Sequence, residues 1–344
     1  MSCDSLIGVY DSGVGGLSVL RAIRDALPDE SLLYVADSAH VPYGDKTQDF
    51  VLQRAYAMAD YFVSRQAKAM VVACNTATAA AIAPLRARYP DLIIIGVEPA
   101  IKPAAHLTHS GVVGVFATTG TLASPKFATL VQREAPEVRI VLRPCPEWVA
   151  LVEQGNLSGP EVEAAVRAPV EELRAAGADV LVLGCTHFPF LRDAIQAAAG
   201  PGVPLLETGA PVARWLKHQL QQRRLLRSGA AGTADPGKTV PDQDGSDQDG
   251  SDKDGSDQGS SDKGRSNQGG SDQGASDNDG LDQGGSDKGT SGQRRSDRGD
   301  PATGHHPHAI CQLETTGHAP AVAALADRLW APGVAVAQTP ARWR

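Results

Sequence analysis

The chain holds few of the residues that build covalent or metallic scaffolds. Of its 344 residues only five are cysteine, Cys3, Cys74, Cys145, Cys185 and Cys311, and no two form a Cys-x-x-Cys pair. That count excludes a disulfide framework and a zinc ribbon and points to a reducing, cytoplasmic setting. No apolar run approaches the roughly 18 residues needed to span a bilayer, and Met1 to Tyr10 lack a basic segment followed by an apolar core. Neither membrane insertion nor export is expected. There is no surplus of positive charge, the formal net charge being −8, so nothing calls for nucleic acid or an acidic membrane as partner. No lysine motif for pyridoxal phosphate is identifiable, and the expectation is a protein with no cofactor and no metal.

The negative charge is unevenly placed. Between Ser228 and Gly304 there are sixteen Asp against eight Lys plus Arg, a net of −8, which leaves the rest of the chain balanced. This stretch is a degenerate Gly-Ser-Asp repeat whose only large apolar residues are Val240 and Leu281. It cannot bury enough surface to offset its chain entropy, so disorder is expected. Its Asp-x-Asp-x-Asp spacing brings calcium to mind, but an EF-hand loop would need a Glu at its twelfth position and flanking helices, and neither is found. Beyond the repeat, Ala309 to Leu313 reads as a strand and Pro320 to Trp330 as a helix. The repeat is therefore expected to be an insertion in a surface loop, since long loops cost little more closure entropy than short ones.

From residue 5 to about 227, short apolar runs alternate with longer periodic segments, the pattern of strands joined by crossover helices in a parallel sheet. The strands expected are 5–10, 31–36, 69–73, 92–95, 112–116, 138–142, 179–183 and 203–206. The helices expected are 17–27, 47–67, 76–89, 125–134, 160–176 and 189–199. The pattern runs twice. Asp11-Ser12-Gly13 ends one early strand and Ala117-Thr118-Thr119-Gly120 another, and a later strand of each half ends in a cysteine. The fold expected is α/β, two pseudo-symmetric parallel-sheet domains facing across a central cleft. Ligands in such sheets bind beyond the carboxyl ends of the strands, where all four of these loops lie.

Cys74, in Val-Val-Ala-Cys-Asn-Thr, and Cys185, in Leu-Gly-Cys-Thr-His, stand 111 positions apart, each just past an apolar run and before a helical pattern. Free amides and the positive end of a helix dipole favour a thiolate there and lower its pKa from about 8.5. A lone cysteine of this kind is often simply a small core residue. Two at matching places suit a reaction that removes a proton from one face of a carbon and returns it on the other, a racemisation. Asp11 stands where it can relay a proton for Cys74, and His187 for Cys185, although an N-cap and a structural histidine are the plain alternatives. Asn75, Thr76 and Thr186 offer short polar groups beside helix-start amides, suited either to capping or to gripping a carboxylate.

Other candidates lead less far. Asp11-Ser12-Gly13-Val14-Gly15-Gly16 superficially resembles a phosphate loop, but it has no Lys and fits neither nucleotide fingerprint. His305, His306 and His308 with Cys311 adjoin the repeat with nothing else converging on them, and Cys3 and Cys145 stand alone.

The segments GVYDSGVGGLSVL from Gly8, YVADSAHVPYGDKT from Tyr34, VVACNTATAAA from Val71, GVFATTGTLASPKF from Gly114, the stretch ending at Glu153 and VLVLGCTHFPFL from Val180 together resemble the bacterial glutamate racemases. The closing TTGHAPAVAALADRLW is similar too. The resemblance implies two α/β domains holding glutamate between them, the first from 1–98 with 208–227 and 305–344, the second from 99–207, with 228–304 inserted. It implies a cofactor-independent enzyme that supplies D-glutamate for peptidoglycan, and a homodimer as the assembly. Cys74 would deprotonate D-glutamate and Cys185 L-glutamate, helped by Asp11 and His187 respectively. Substrate contacts would fall to Asp11, Ser12, Tyr43, Gly44, Asn75, Thr76, Thr186 and His187, with Thr118 and Thr121 further candidates and Asp37 and Glu153 as supporting charges.

Two departures stand out. Glu207 occupies a position where the family more often has Asp, and the Gly-Ser-Asp insertion has no family counterpart. Competing expectations are a racemase of the same fold acting on aspartate or another small acid, a non-catalytic binding protein for a partner such as a topoisomerase, and a thiol hydrolase using Cys185 and His187.

Overall fold

The strands of the computed structural model are short and parallel, and those at the centre of each sheet are largely apolar. The structure describes residues 2–227 and 309–344; the inserted repeat, its calcium alternative and His305, His306 and His308 fall outside them. Strands β1 (Ile7–Asp11), β2 (Leu32–Ala36), β3 (Ala69–Val72), β4 (Ile93–Gly96), β9 (Cys311–Thr315) and β10 (Val336–Gln338) form one sheet in the order β10-β9-β2-β1-β3-β4. Strands β5 (Val112–Ala117), β6 (Arg139–Pro144), β7 (Val180–Leu183) and β8 (Leu205–Leu206) form a second, in the order β6-β5-β7-β8. Every pairing in both sheets is parallel.

The two orders are one pattern used twice. β2-β1-β3-β4 of the first sheet corresponds to β6-β5-β7-β8 of the second, and β9 and β10 extend only the first. In each sheet the chain leaves the central strand (β1 or β5) to a neighbour on one side and returns on the other, so a crevice opens at the carboxyl end of that strand. Runs such as Ile93-Ile94-Ile95 and Val180-Leu181-Val182-Leu183 are buried on both faces, because helices cover both sides of the sheet.

Those helices are α1 (Leu17–Ala26), α2 (Gln48–Ser64), α3 (Asn75–Arg88), α4 (Ile101–Leu107), α5 (Thr119–Leu122), α6 (Pro125–Glu134), α7 (Pro146–Glu153), α8 (Pro160–Ala175), α9 (Arg192–Ala199), α10 (Gly209–Gln222) and α11 (Ala319–Leu329). α1 buries Leu17, Val19, Leu20 and Ile23, the spacing of one helical face, and packs on α10. Local chemistry sets several starts. The Thr47 hydroxyl accepts the Phe50 N–H to cap α2, and the Ser124 hydroxyl accepts that of Phe127 to cap α6, where Pro125 takes the first position.

The expected strand 309–313 runs instead over 311–315, two residues later, and pairs with β2. The helix expected over 189–199 opens as a one-turn 3-10 helix at Phe188–Leu191 before α9. Helices α4, α5, α7 and α10 and strand β10 were not expected from the sequence.

Candidate active site

The carboxyl ends of β1, β3, β5 and β7 meet at one cleft. It encloses about 300 Å³ including its mouth and is lined by Asp11, Ser12, Pro42, Tyr43, Gly44, Cys74, Asn75, Thr76, Thr118, Val149, Cys185, Thr186 and His187. All eight expected substrate contacts and both cysteines are among these residues, and Thr118 joins them. Thr121 does not line the cleft; its hydroxyl stands 3.0 Å from that of Thr118 and 3.3 Å from that of Thr76. Pro42 and Val149 were not singled out in the sequence.

Asp11 is the last residue of β1 and is fully buried. One of its oxygens accepts the Ser12 N–H at 2.6 Å, and the other accepts the Thr186 hydroxyl at 2.9 Å. Burial pushes its pKa up, and the attraction of His187 and the hydrogen bonds from Thr186 and Ser12 offset only part of that.

Cys74 is the N-cap of α3, and its sulfur accepts the Ala77 N–H at 3.5 Å. Its thiol donates to the Ser12 hydroxyl at 3.8 Å, so Ser12 stands between Cys74 and Asp11. The sequence led us to expect a thiol made acidic by the helix start. The structure reverses that direction: burial, reinforced by the carboxylate of Asp11, pushes Cys74 well above the ordinary thiol range, and the Ala77 amide does not compensate. A single dipole end is worth little against full desolvation.

Cys185 follows Gly184, whose N–H donates to the Phe116 carbonyl at 2.7 Å. A Cβ at 184 would lie 2.9 Å from that same oxygen, so only glycine lets the end of β7 lie this close to β5. The Cys185 sulfur is 3.6 Å from His187 Nδ1, and His187 Nε2 is 2.7 Å from Glu153 Oε1. Burial works against a charged His187 ring, but the contacts with Cys185 and Glu153 outweigh it and hold the imidazole pKa well above its usual value. The buried ring lies between the Cys185 sulfur and the Glu153 carboxylate.

Glu153 reaches His187 because of packing beneath the site. Trp148 on α7 lies with its ring centroid 4.8 Å from Phe116 and 4.9 Å from Phe188, and such aromatic pairs add about 0.5–1.5 kcal/mol each beyond area burial. They fix α7 against the turn after Cys185. The carboxylate at its last residue also accepts the Val14 N–H at 2.8 Å, tying it to the loop after β1.

Asp37 stands one layer further out. It accepts the Tyr43 hydroxyl at 2.5 Å, the Thr316 hydroxyl at 2.7 Å, and two N–H groups of Arg54 at 2.9 and 2.8 Å. Arg54 and the hydroxyls outweigh burial and hold this carboxylate below the usual range. Tyr43 in turn accepts the Tyr10 hydroxyl at 3.3 Å. Elsewhere, Glu207 accepts a hydrogen bond from Arg192.

Within this cleft one acceptor is unused. Asn75 donates its amide nitrogen to the Val97 carbonyl at 3.5 Å, while its buried Oδ1 has no partner. No group of three or more His, Cys, Asp or Glu suited to a metal occurs among the described residues. No helix among them is long and apolar enough to cross a membrane. The arrangement thus brings two sulfurs, a buried carboxylate, an imidazole and a set of hydroxyls and amides to one small cleft.

Residues 15–214 match the Asp/Glu/Hydantoin racemase family. Over 229 residues the chain is 54% identical to a glutamate racemase of Pseudomonas syringae pv. tomato, a match covering 67% of this chain and 83% of the relative. A glutamate racemase of Escherichia coli solved with L-glutamate and the activator UDP-MurNAc-ala is 37% identical, with a TM-score of 0.59 over 63% of this chain and 83% of that one. A glutamate racemase of Thermus thermophilus in complex with beta-chloro-D-alanine is 28% identical, with a TM-score of 0.66 over 100% of both chains.

Proposed function

The chain belongs to the Asp/Glu/Hydantoin racemase family, and from that premise we propose that it interconverts L- and D-glutamate by proton transfer between two thiols across the α-carbon. The observation that carries this reading is structural equivalence. Cys74 and Cys185 follow β3 and β7, which hold the same place in the two sheets, and both line one cleft.

In the forward direction the Cys185 thiolate takes the α-proton of L-glutamate and the Cys74 thiol donates its own to the opposite face. In this direction Cys74 starts protonated, in keeping with its raised pKa. Each turnover leaves the two sulfurs with exchanged protonation, and D-glutamate is then taken by the reverse path. Ser12 and Asp11 move the proton at Cys74; His187, held charged by Glu153, serves Cys185. Proton transfer by placed groups of this kind contributes about 10²–10⁴-fold.

An α-proton is very weakly acidic, so the developing carbanion has to be stabilised as it forms. The free Oδ1 of Asn75 receives the substrate ammonium, and Thr76, Thr118 and Thr186 with their neighbouring amides hold carboxylate oxygens. These donors are fixed in place before substrate arrives, which is what makes electrostatic stabilisation effective. The same reading makes the protein a cytoplasmic, cofactor-independent source of D-glutamate for peptidoglycan, acting as a homodimer.

Polarimetry separates this from a racemase for another small acid. Optical rotation of L-glutamate should decay to zero while that of L-aspartate stays constant, and comparable decay of both would assign a broader or different substrate. A hydrolase built on Cys185 and His187 leaves Cys74 without a task.

A further inference from the structure

The loop after β1 supplies three glycines, Gly13, Gly15 and Gly16, that no nucleotide fingerprint explains. None of them has a positive φ, so the backbone conformation does not require glycine at these positions. Space does. A Cβ on Gly15 would lie 2.4 Å from His187 Nδ1 and 2.6 Å from its Cε1. A Cβ on Gly13 would lie 1.9 Å from Glu153 Oε1. Neither neighbour can move aside cheaply: the ring is gripped by Cys185 on one side and Glu153 on the other, and the carboxylate is bonded to both His187 and the Val14 N–H.

We propose that Gly13 and Gly15 are positioning residues for the Cys185 half of the reaction, each leaving a socket in the β1 loop for one member of the Glu153–His187 pair. The loop belongs to the first sheet and the pair to the second, so the geometry of one proton-transfer arm is set by the opposite lobe. The Cys74 arm has no such dependence on these two positions. There the loop after β5 meets Gly44 instead, a Cβ on Gly120 falling 2.9 Å from the Gly44 carbonyl, and Ser12 and Asp11 come from the same sheet as Cys74.

This inference rests on the two-thiol reading, and its test must show which arm is damaged. Enantiomers have equal free energy, so kcat/KM is the same in both directions whatever a substitution does; a rate difference between L and D cannot report the arm. Isotope effects can. Deuterium on the α-carbon of L-glutamate is in flight when Cys185 acts, and deuterium on D-glutamate when Cys74 acts. For Gly15→Ala, a ring displaced by even 1 Å should lower kcat/KM about 10²-fold in both directions. The isotope effect on kcat/KM should then rise with α-deuterated L-glutamate and fall towards none with α-deuterated D-glutamate. Gly13→Ala, which crowds the carboxylate rather than the ring, should shift the same pair in the same sense.

An isotope-effect pair unchanged from the unsubstituted protein, with or without loss of rate, overturns the proposal, because a merely structural defect reduces the active fraction and leaves the pair alone. Loop variants that fail to fold, monitored by circular dichroism melting, overturn it as well, since the loop would then hold the fold rather than the pair. Should the unsubstituted protein show no isotope effect with either enantiomer and no racemisation, the two-thiol reading itself is the one that fails.

Discussion

The ionisation of His187 is governed by its neighbours. Burial alone would keep the ring neutral; Cys185 and Glu153 together raise its pKa well above the usual value. Replacing Glu153 by Gln keeps the shape and a hydrogen-bond acceptor but removes the charge, so the imidazole pKa should fall. The alkaline limb of the kcat/KM profile should therefore move to lower pH in Glu153→Gln, and an unmoved limb would show that Glu153 does not hold the charge on His187. The sign for stability is the same: the contact contributes fully below the unfolded histidine pKa of about 6.5 and is lost as pH rises through the raised folded value. At this scale the strand-end positions of Cys74, Cys185, Asp11 and His187 are legible from residue order alone. The contact of Glu153 with His187 is not, because 34 positions separate them and tertiary packing, that of Trp148 included, brings them together. The direction of the Cys74 pKa is hidden for a similar reason: the helix start is visible in the chain, but the burial that overrides it is a tertiary property.

Elements with a clear apolar period were legible, and those without one were not. α1 shows its buried face at helical spacing, and β3 and β7 are unbroken apolar runs. α7, Pro-Glu-Trp-Val-Ala-Leu-Val-Glu, is too short and too uniformly apolar to show a face, and β10 is a three-residue edge strand with two exposed positions. The junction of β2, α2 and β9 shows how separate elements set one site residue. Arg54 of α2 grips Asp37, just past β2, with two N–H groups and also donates to the Trp343 carbonyl at 2.9 Å, while Thr316, just past β9, completes the cluster under Tyr43. The Arg54 side chain is 12% exposed and that of Asp37 0%. Removing one partner of such a buried pair costs about 3–5 kcal/mol. Arg54→Met should lose stability of that order in urea unfolding with m unchanged; a loss below about 1 kcal/mol would mean that Asp37 is satisfied by its remaining partners, the Tyr43 and Thr316 hydroxyls and the His40 ring.

For the whole molecule the decisive fact is a four-strand pattern used twice, each copy ending a strand in a cysteine at the shared cleft. The duplication was legible because both copies keep the same order of apolar runs and strand-end loops. What the sequence could not show is how unequal the two arms are: one has a hydroxyl and a carboxylate from its own lobe, the other an imidazole and a carboxylate seated in glycine sockets of the opposite lobe. The proposed racemisation depends on the two sulfurs working as a pair on one carbon. Glutamate in deuterated water, followed by NMR at the α-carbon with the unsubstituted protein and with Cys74→Ala and Cys185→Ala, tests that most directly. The pair predicts exchange with inversion in the unsubstituted protein and almost no inversion in either variant; rapid inversion by Cys74→Ala would contradict it.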